Sequence, residues 1–212
     1  MIRIICISAV CGAFAISAHA AEQDTSEVVA KVQKAYDSAK DLHAKFDQSI
    51  HSQFGGDKKA SGDVWLKKPG RMRWDYVTPE KKLMISDGKT LWVYEPEDAQ
   101  AFKQDLKSSS LPSSVAFLLG EGKLADEFEI TPLKSEKLEQ TLLKLVPKVA
   151  TAAYRYIEFT VDSKSGQVVQ TTLYDQQGGT NRLSFGTIET NKGVSDDKFR
   201  FKPPAGTKII AP

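Results

Sequence analysis

Cysteine is nearly absent from this chain: the only two are Cys6 and Cys11, both near the start. Residues 1 to 20 read as a secretory signal peptide. Arg3 supplies the charged start, Ile4 to Ile16 the apolar run, and Ala18-His19-Ala20 a small-x-small cleavage site before Ala21. That run is the longest apolar stretch and is too short for a bilayer span, which needs ~20 residues. Cys11 does not suit a lipid-bearing cysteine, because Val10 stands where a small residue is expected and the apolar run would be cut in half. Both cysteines therefore leave with the leader, and residues 21 to 212 hold none. That excludes disulfides, thiolate nucleophiles and thiolate metal sites.

Histidine is equally scarce. His19 belongs to the leader, and His43 and His51 lie on the polar face of one strand, read as exposed and too far apart to be adjacent metal ligands. A metal site there would need a further carboxylate ligand. No serine stands in Gly-x-Ser-x-Gly. Gly55-Gly56 and Gly178-Gly179 lack the Lys-Ser/Thr and following helix of a phosphate cradle. The residues call for no cofactor. Excess charge is missing too: the formal net charge is +2, and losing Arg3 lowers it by one to +1, which gives no bulk electrostatic case for nucleic acid. Export without an anchor places the chain in the periplasm of a cell with two membranes.

What the chain does have is large apolar residues at strand spacing. All three tryptophans, Trp65, Trp74 and Trp92, fall between Gly62 and Pro96. Met72, Trp74 and Tyr76 share one face of a run, with Arg71, Arg73 and Asp75 on the other. Leu83-Met84-Ile85 and Leu91-Trp92-Val93-Tyr94 are apolar on both faces, as in strands covered on both sides. Lys68-Pro69-Gly70, Thr78-Pro79 and Ser86-Asp87-Gly88-Lys89 are turns between them. Upstream, Asp24 or Ser26 can cap a helix carrying the stripe Val28, Val29, Val32, Ala35, Tyr36 and Ala39. Leu42, Ala44, Phe46, Gln48 and Ile50 then alternate as a strand.

Past Ser108 to Ser114, Val115 to Leu119 reads as a short apolar helix closed by Gly120. Strands follow at 128–130, 142–146, 154–161, 167–174 and 181–188. The total is roughly ten or eleven antiparallel strands with a few helices. A sheet of that size tends to curl or split, so the pattern predicts a mainly β α+β fold in one domain, residues 21 to 212, and leaves barrel and sandwich both open.

The order Val64-Trp65-Leu66-Lys67-Lys68-Pro69, Arg73-Trp74 and Ser86-Asp87-Gly88-Lys89-Thr90-Leu91-Trp92-Val93-Tyr94-Glu95-Pro96 resembles the outer-membrane lipoprotein carrier family, LolA. Phe46-Asp47-Gln48 and Lys198-Phe199-Arg200-Phe201-Lys202-Pro203-Pro204 match two further elements of it. The resemblance spans nearly the whole chain after the leader. It implies a curved antiparallel sheet forming an incomplete, half-open β-barrel, covered by the N-terminal helix and short lid helices.

It also implies a periplasmic, monomeric carrier without catalysis. Such a carrier takes acylated lipoproteins from an inner-membrane ABC-type release complex and passes them to an outer-membrane receptor lipoprotein. By that layout, Met72, Trp74, Met84, Phe117, Leu118 and Leu119 line the cargo cavity and lid, with Met72 near the mouth. Lys68 stands where the family usually has an arginine that latches the lid backbone, and it is either that latch or a solvated strand-end charge. The other readings are the outer-membrane acceptor itself, an envelope lipid-binding or lipoprotein-sensing module, and a periplasmic hydrolase built on scattered carboxylates.

Overall fold

A helix laid along the hollow of one long curved sheet makes up the molecule. The computed structural model describes residues 15–106 and 122–211, with side chains from residue 25 onward. The expected lid helix with Phe117, Leu118 and Leu119 lies outside the described residues.

Helix α1 spans Ala15–Ser38. It begins upstream of Asp24 and Ser26, so neither caps it in the full chain. Its stripe is the expected one: Val32, Tyr36 and Ala39 are buried, and Val28 and Val29 pack against the same core. Six strands follow as a meander: β1 (Asp41–Ser52), β2 (Gly56–Lys67), β3 (Arg71–Thr78), β4 (Lys82–Asp87), β5 (Thr90–Glu95) and β6 (Gln100–Asp105). A four-residue helix, α2 (Leu124–Glu127), leads into β7 (Phe128–Leu133), β8 (Gln140–Pro147), β9 (Tyr156–Asp162), β10 (Val168–Tyr174) and β11 (Thr180–Phe185). Two short strands, β12 (Glu189–Thr190) and β13 (Lys208–Ile210), flank a 3₁₀ turn at Asp196–Phe199.

All the strands join one sheet in the order β13-β6-β5-β4-β3-β2-β1-β11-β10-β9-β8-β7, with β12 added alongside β1. Among the described residues the ends of that path, β13 and β7, pair with no further strand, so the barrel is incomplete. The closing strand of the first half departs from the all-antiparallel expectation: β13 pairs with β6 in parallel, Ile209 opposite Ala101. Strands of two and three residues are too short to leave a period-two trace, and so β12 and β13 were not legible beforehand.

Curvature follows from the core. Val64 and Trp74 from the first half and Leu143, Leu145 and Phe159 from the second belong to one buried cluster, although β3 and β8 stand far apart in the sheet. The residues of α1 in the same cluster, Val32 and Tyr36, link the two halves across the hollow, as a twisted, curling sheet of this size allows. Gly62 lets β2 and β3 approach beneath the Phe46 ring: a Cβ there would lie 1.9 Å from the Asp75 carbonyl oxygen.

The convex face is covered as well. The chain after β12 runs back across it as a strap. Asp41, a buried carboxylate, accepts from the backbone N–H groups of Lys192 (2.8 Å), Gly193 (3.0 Å) and Val194 (3.4 Å). Lys67 and Arg71 both reach Asp196, and Arg73 Nη1 donates to the Lys198 carbonyl. Phe201 packs on Trp92 and Tyr94, with ring centroids 5.6 and 5.4 Å away. This strap explains why β4 and β5 are apolar on both faces.

Candidate functional site

Antiparallel register sorts the concave face residue by residue. Leu66 faces Met72 and Val64 faces Trp74; Trp74 in turn faces Met84. Directly opposed side chains share a face, so Met72, Trp74 and Met84 line one apolar surface with Leu42, Ala44 and Phe46 of β1. Met72 and Trp74 are buried, and Met84 is half-buried against the same cluster. Met72 lies beside the β2–β3 turn, at the end of the hollow where β3 starts. Phe46 was not singled out from the sequence. It is the central ring, edge-on to Trp74 and Tyr76 with centroids 5.0 Å away in both cases. Its place in the alternation from Leu42 to Ile50 was the available signal.

α1 lies over this surface and fills it. Beneath Tyr36 only a small void of about 10 Å³ remains, lined by Leu42, Val64, Leu66, Trp74, Val168, Phe185 and Ile188. A second apolar cleft of about 400 Å³ separates Val29 and Ala30 of α1 from Ala125, Phe128 and Ile130. Tyr36 ties the helix to both halves of the sheet. Its hydroxyl accepts from the Val168 N–H at 3.3 Å, and its carbonyl accepts from Lys68 Nζ. That carbonyl is among the last four of the helix, which lack an i+4 partner, and it also accepts from the Ala39 N–H at 3.2 Å. Burial pushes the Tyr36 phenol far above its usual range. Lys68 is therefore a bonded cation and not a solvated one, and the partner observed is α1.

Toward the other end the same face becomes polar. Gln48 and Ile50 continue β1, opposite Ala60 and Lys58. Tyr76 stands opposite Lys82, whose Nζ lies 4.4 Å from the centre of the Tyr76 ring. With Thr78, Glu95, Glu97 and Asp98 these residues border an open groove of about 730 Å³. Burial pushes the Tyr76 phenol up to about 12.

The histidines separate. His51 is exposed and bonds Asp57. His43 is half-buried on the convex face, a correction to its expected exposure: it stacks on Trp65 at 4.7 Å and reaches Asp63 Oδ1 at 3.0 Å. Partial burial opposes ionisation of Asp63, but hydrogen bonds from His43 and Lys45 outweigh it and hold the carboxyl below its usual range. Among the described residues no group of three His, Asp or Glu side chains is placed to hold a metal ion. The one buried acidic side chain among them, Asp41, is committed to the strap.

The fold is that of a half-open β-barrel with an apolar hollow under a helix. The sequence profile of the family described as outer membrane lipoprotein carrier protein LolA matches residues 37–202, and the chain belongs to that family. An outer-membrane lipoprotein carrier protein of Alkalilimnicola ehrlichii is 30% identical over 206 residues, covering 95% of this chain and 91% of that one. One from Azotobacter vinelandii is 28% identical over 212 residues, covering 99% and 98%. Among solved structures, an uncharacterised conserved protein of Thermus thermophilus shares the fold, with a TM-score of 0.59 at 10% identity over 90% of this chain and all of that one.

Proposed function

We propose that this protein is a periplasmic carrier of acylated lipoproteins. It takes them from an inner-membrane ABC-type release complex and delivers them to an outer-membrane receptor lipoprotein, with no chemical step of its own. The reading rests on one observation above the others: a concave surface of Leu42, Phe46, Leu66, Met72, Trp74 and Met84, roofed among the described residues by α1. Acyl chains need such a surface because each CH₂ exposed to water costs ~0.8 kcal/mol, and burial in it is non-directional. Family membership and the names of the relatives point the same way. The leader, residues 1 to 20, supplies export.

The hollow is filled by the protein's own side chains, so loading has to displace α1 from it. The Lys68 bond to the Tyr36 carbonyl is one that this movement must break. Lys68 acts as the latch of the closed form, and Met72, Trp74 and Met84 act as acyl contacts once α1 moves. Phe117, Leu118 and Leu119 complete the lid. A closed form held by internal contacts weakens net lipid affinity, which is what handover to a receptor requires.

The test is release from spheroplasts carrying labelled lipoproteins and the release complex of the same organism. Added purified protein should bring lipoprotein into the soluble fraction as a one-to-one complex, and Phe117 or Leu119 changed to Asp should reduce it. No soluble complex, from protein shown to be folded by circular dichroism, overturns the reading.

A further inference from the structure

The hollow has two unlike ends. At the floor, α1 closes it: Tyr36 bridges Lys68 and Val168, Lys31 Nζ donates to the Ser163 carbonyl, and Asn191 binds the Lys40 amide and the Ser38 carbonyl. At the other end the inner face of β1–β5 runs on, past the last apolar ring, into the open charged groove. Tyr76 marks the boundary. Its ring packs on Phe46, the residue borders the groove, and no hydrogen bond from its hydroxyl to a described residue is present.

Charge is divided across the groove. Lys58, Lys59, Lys81 and Lys82 stand on the β2 and β3–β4 side, and Glu95, Glu97 and Asp98 on the β5–β6 side. Two acids also lie on the basic side: Asp57, which pairs with His51, and Glu80. Glu95 accepts from Gln100. Among the described residues, Lys58, Lys59 and Lys81 and, across from them, Glu97 and Asp98 form no ion pair. Unspent donors on one wall and unspent acceptors on the other match an extended peptide, whose backbone offers both along its length.

We propose that this groove is a second binding site, for the polypeptide segment that directly follows the acylated residue of the cargo. The inference rests on the carrier reading. If acyl chains fill the apolar hollow, the covalently attached chain must leave by the open end, and Tyr76, Lys58 and Lys82 are the first polar groups it meets. The Tyr76 hydroxyl donates to a carbonyl at the junction of lipid and peptide, and the two walls hold the extended residues beyond it. The carrier thereby holds the neck of its cargo as well as its lipid.

Two synthetic probes separate this from lipid binding alone: a diacylglyceryl-cysteine peptide of about ten polar residues, and the same lipid on cysteine methylamide. The wild-type protein should bind the peptide-bearing probe ~3- to 10-fold tighter, the gain expected of a few partly exposed charged contacts. In the Lys58→Glu/Lys82→Glu double variant that advantage should vanish while affinity for the short probe stays unchanged. High salt should erase it in the same way. Equal affinity of the wild type for both probes overturns the proposal. So does a double variant that weakens both probes alike, which marks a structural role. A diacyl phospholipid that competes as well as the lipopeptide assigns the groove to a membrane headgroup and overturns it too. If neither probe binds, the carrier reading itself has failed, an outcome distinct from the others.

Discussion

Asp63 is where single-residue chemistry bears most directly on stability. It accepts from His43 (3.0 Å) and from Lys45 (3.4 and 3.3 Å to its two oxygens) on the convex face of β2. Its carboxyl titrates below its usual value in the folded chain, which is ~3.9 for a free aspartate. The folded state therefore binds fewer protons there than the unfolded state does. The stabilisation this confers is complete above the unfolded value and is lost as pH falls through the folded one. The urea midpoint of the wild-type protein should drop more steeply between pH 5 and pH 3 than that of Asp63→Asn. Parallel curves for the two would remove Asp63 from the acid response. Lys68 makes a related point: the sequence left it as either a latch or a solvated strand-end charge, and its bond to the Tyr36 carbonyl came from the helix end that the fold sets against it.

The C-terminal strap is the element whose role was least apparent in advance. Phe199 and Phe201 alternate in Lys198-Phe199-Arg200-Phe201, but the strap is not a regular strand. Phe199 is buried within a 3₁₀ turn that packs on β3 and β4, while Phe201 covers Trp92 and Tyr94. Lys198 lies over the Trp65 ring at 3.6 Å. Phe199→Ala removes a fully buried ring under a segment held down mainly by hydrogen bonds and ion pairs, and should cost ~3–5 kcal/mol. Urea denaturation measures it; a loss below ~1 kcal/mol would mean that the strap is dispensable to the fold. Trp65 and Trp92 are thus convex-face residues, and of the three tryptophans only Trp74 faces the hollow.

At the scale of the molecule, one core joins both halves of the sheet. Val64 and Trp74 bury themselves in the same cluster as Leu143, Leu145 and Phe159, and neither half has a separate interior on the concave side. The two halves should unfold together. Near-ultraviolet circular dichroism, which reports aromatic packing, and far-ultraviolet circular dichroism, which reports the sheet, should trace coincident urea transitions. Separated transitions would mean that the β1–β6 and β7–β11 halves are independent units.

The strands, their turns and the faces they present were legible because a pleated chain alternates its side chains with period two, and large apolar residues at that spacing leave a local record. The helical stripe of α1 was legible for the same reason at its own period. Motif order carried the family and with it the half-open barrel. Distant pairing leaves no such record. The parallel joining of β13 to β6, the strap across the convex face and the bond from Lys68 to Tyr36 all link residues far apart in the chain, so only tertiary structure decided them. The split of the hollow into an apolar floor and a charged mouth is of the same kind. Its residues were visible one by one from Leu42 to Asp98, but they became two ends of one surface only when five strands were laid in register.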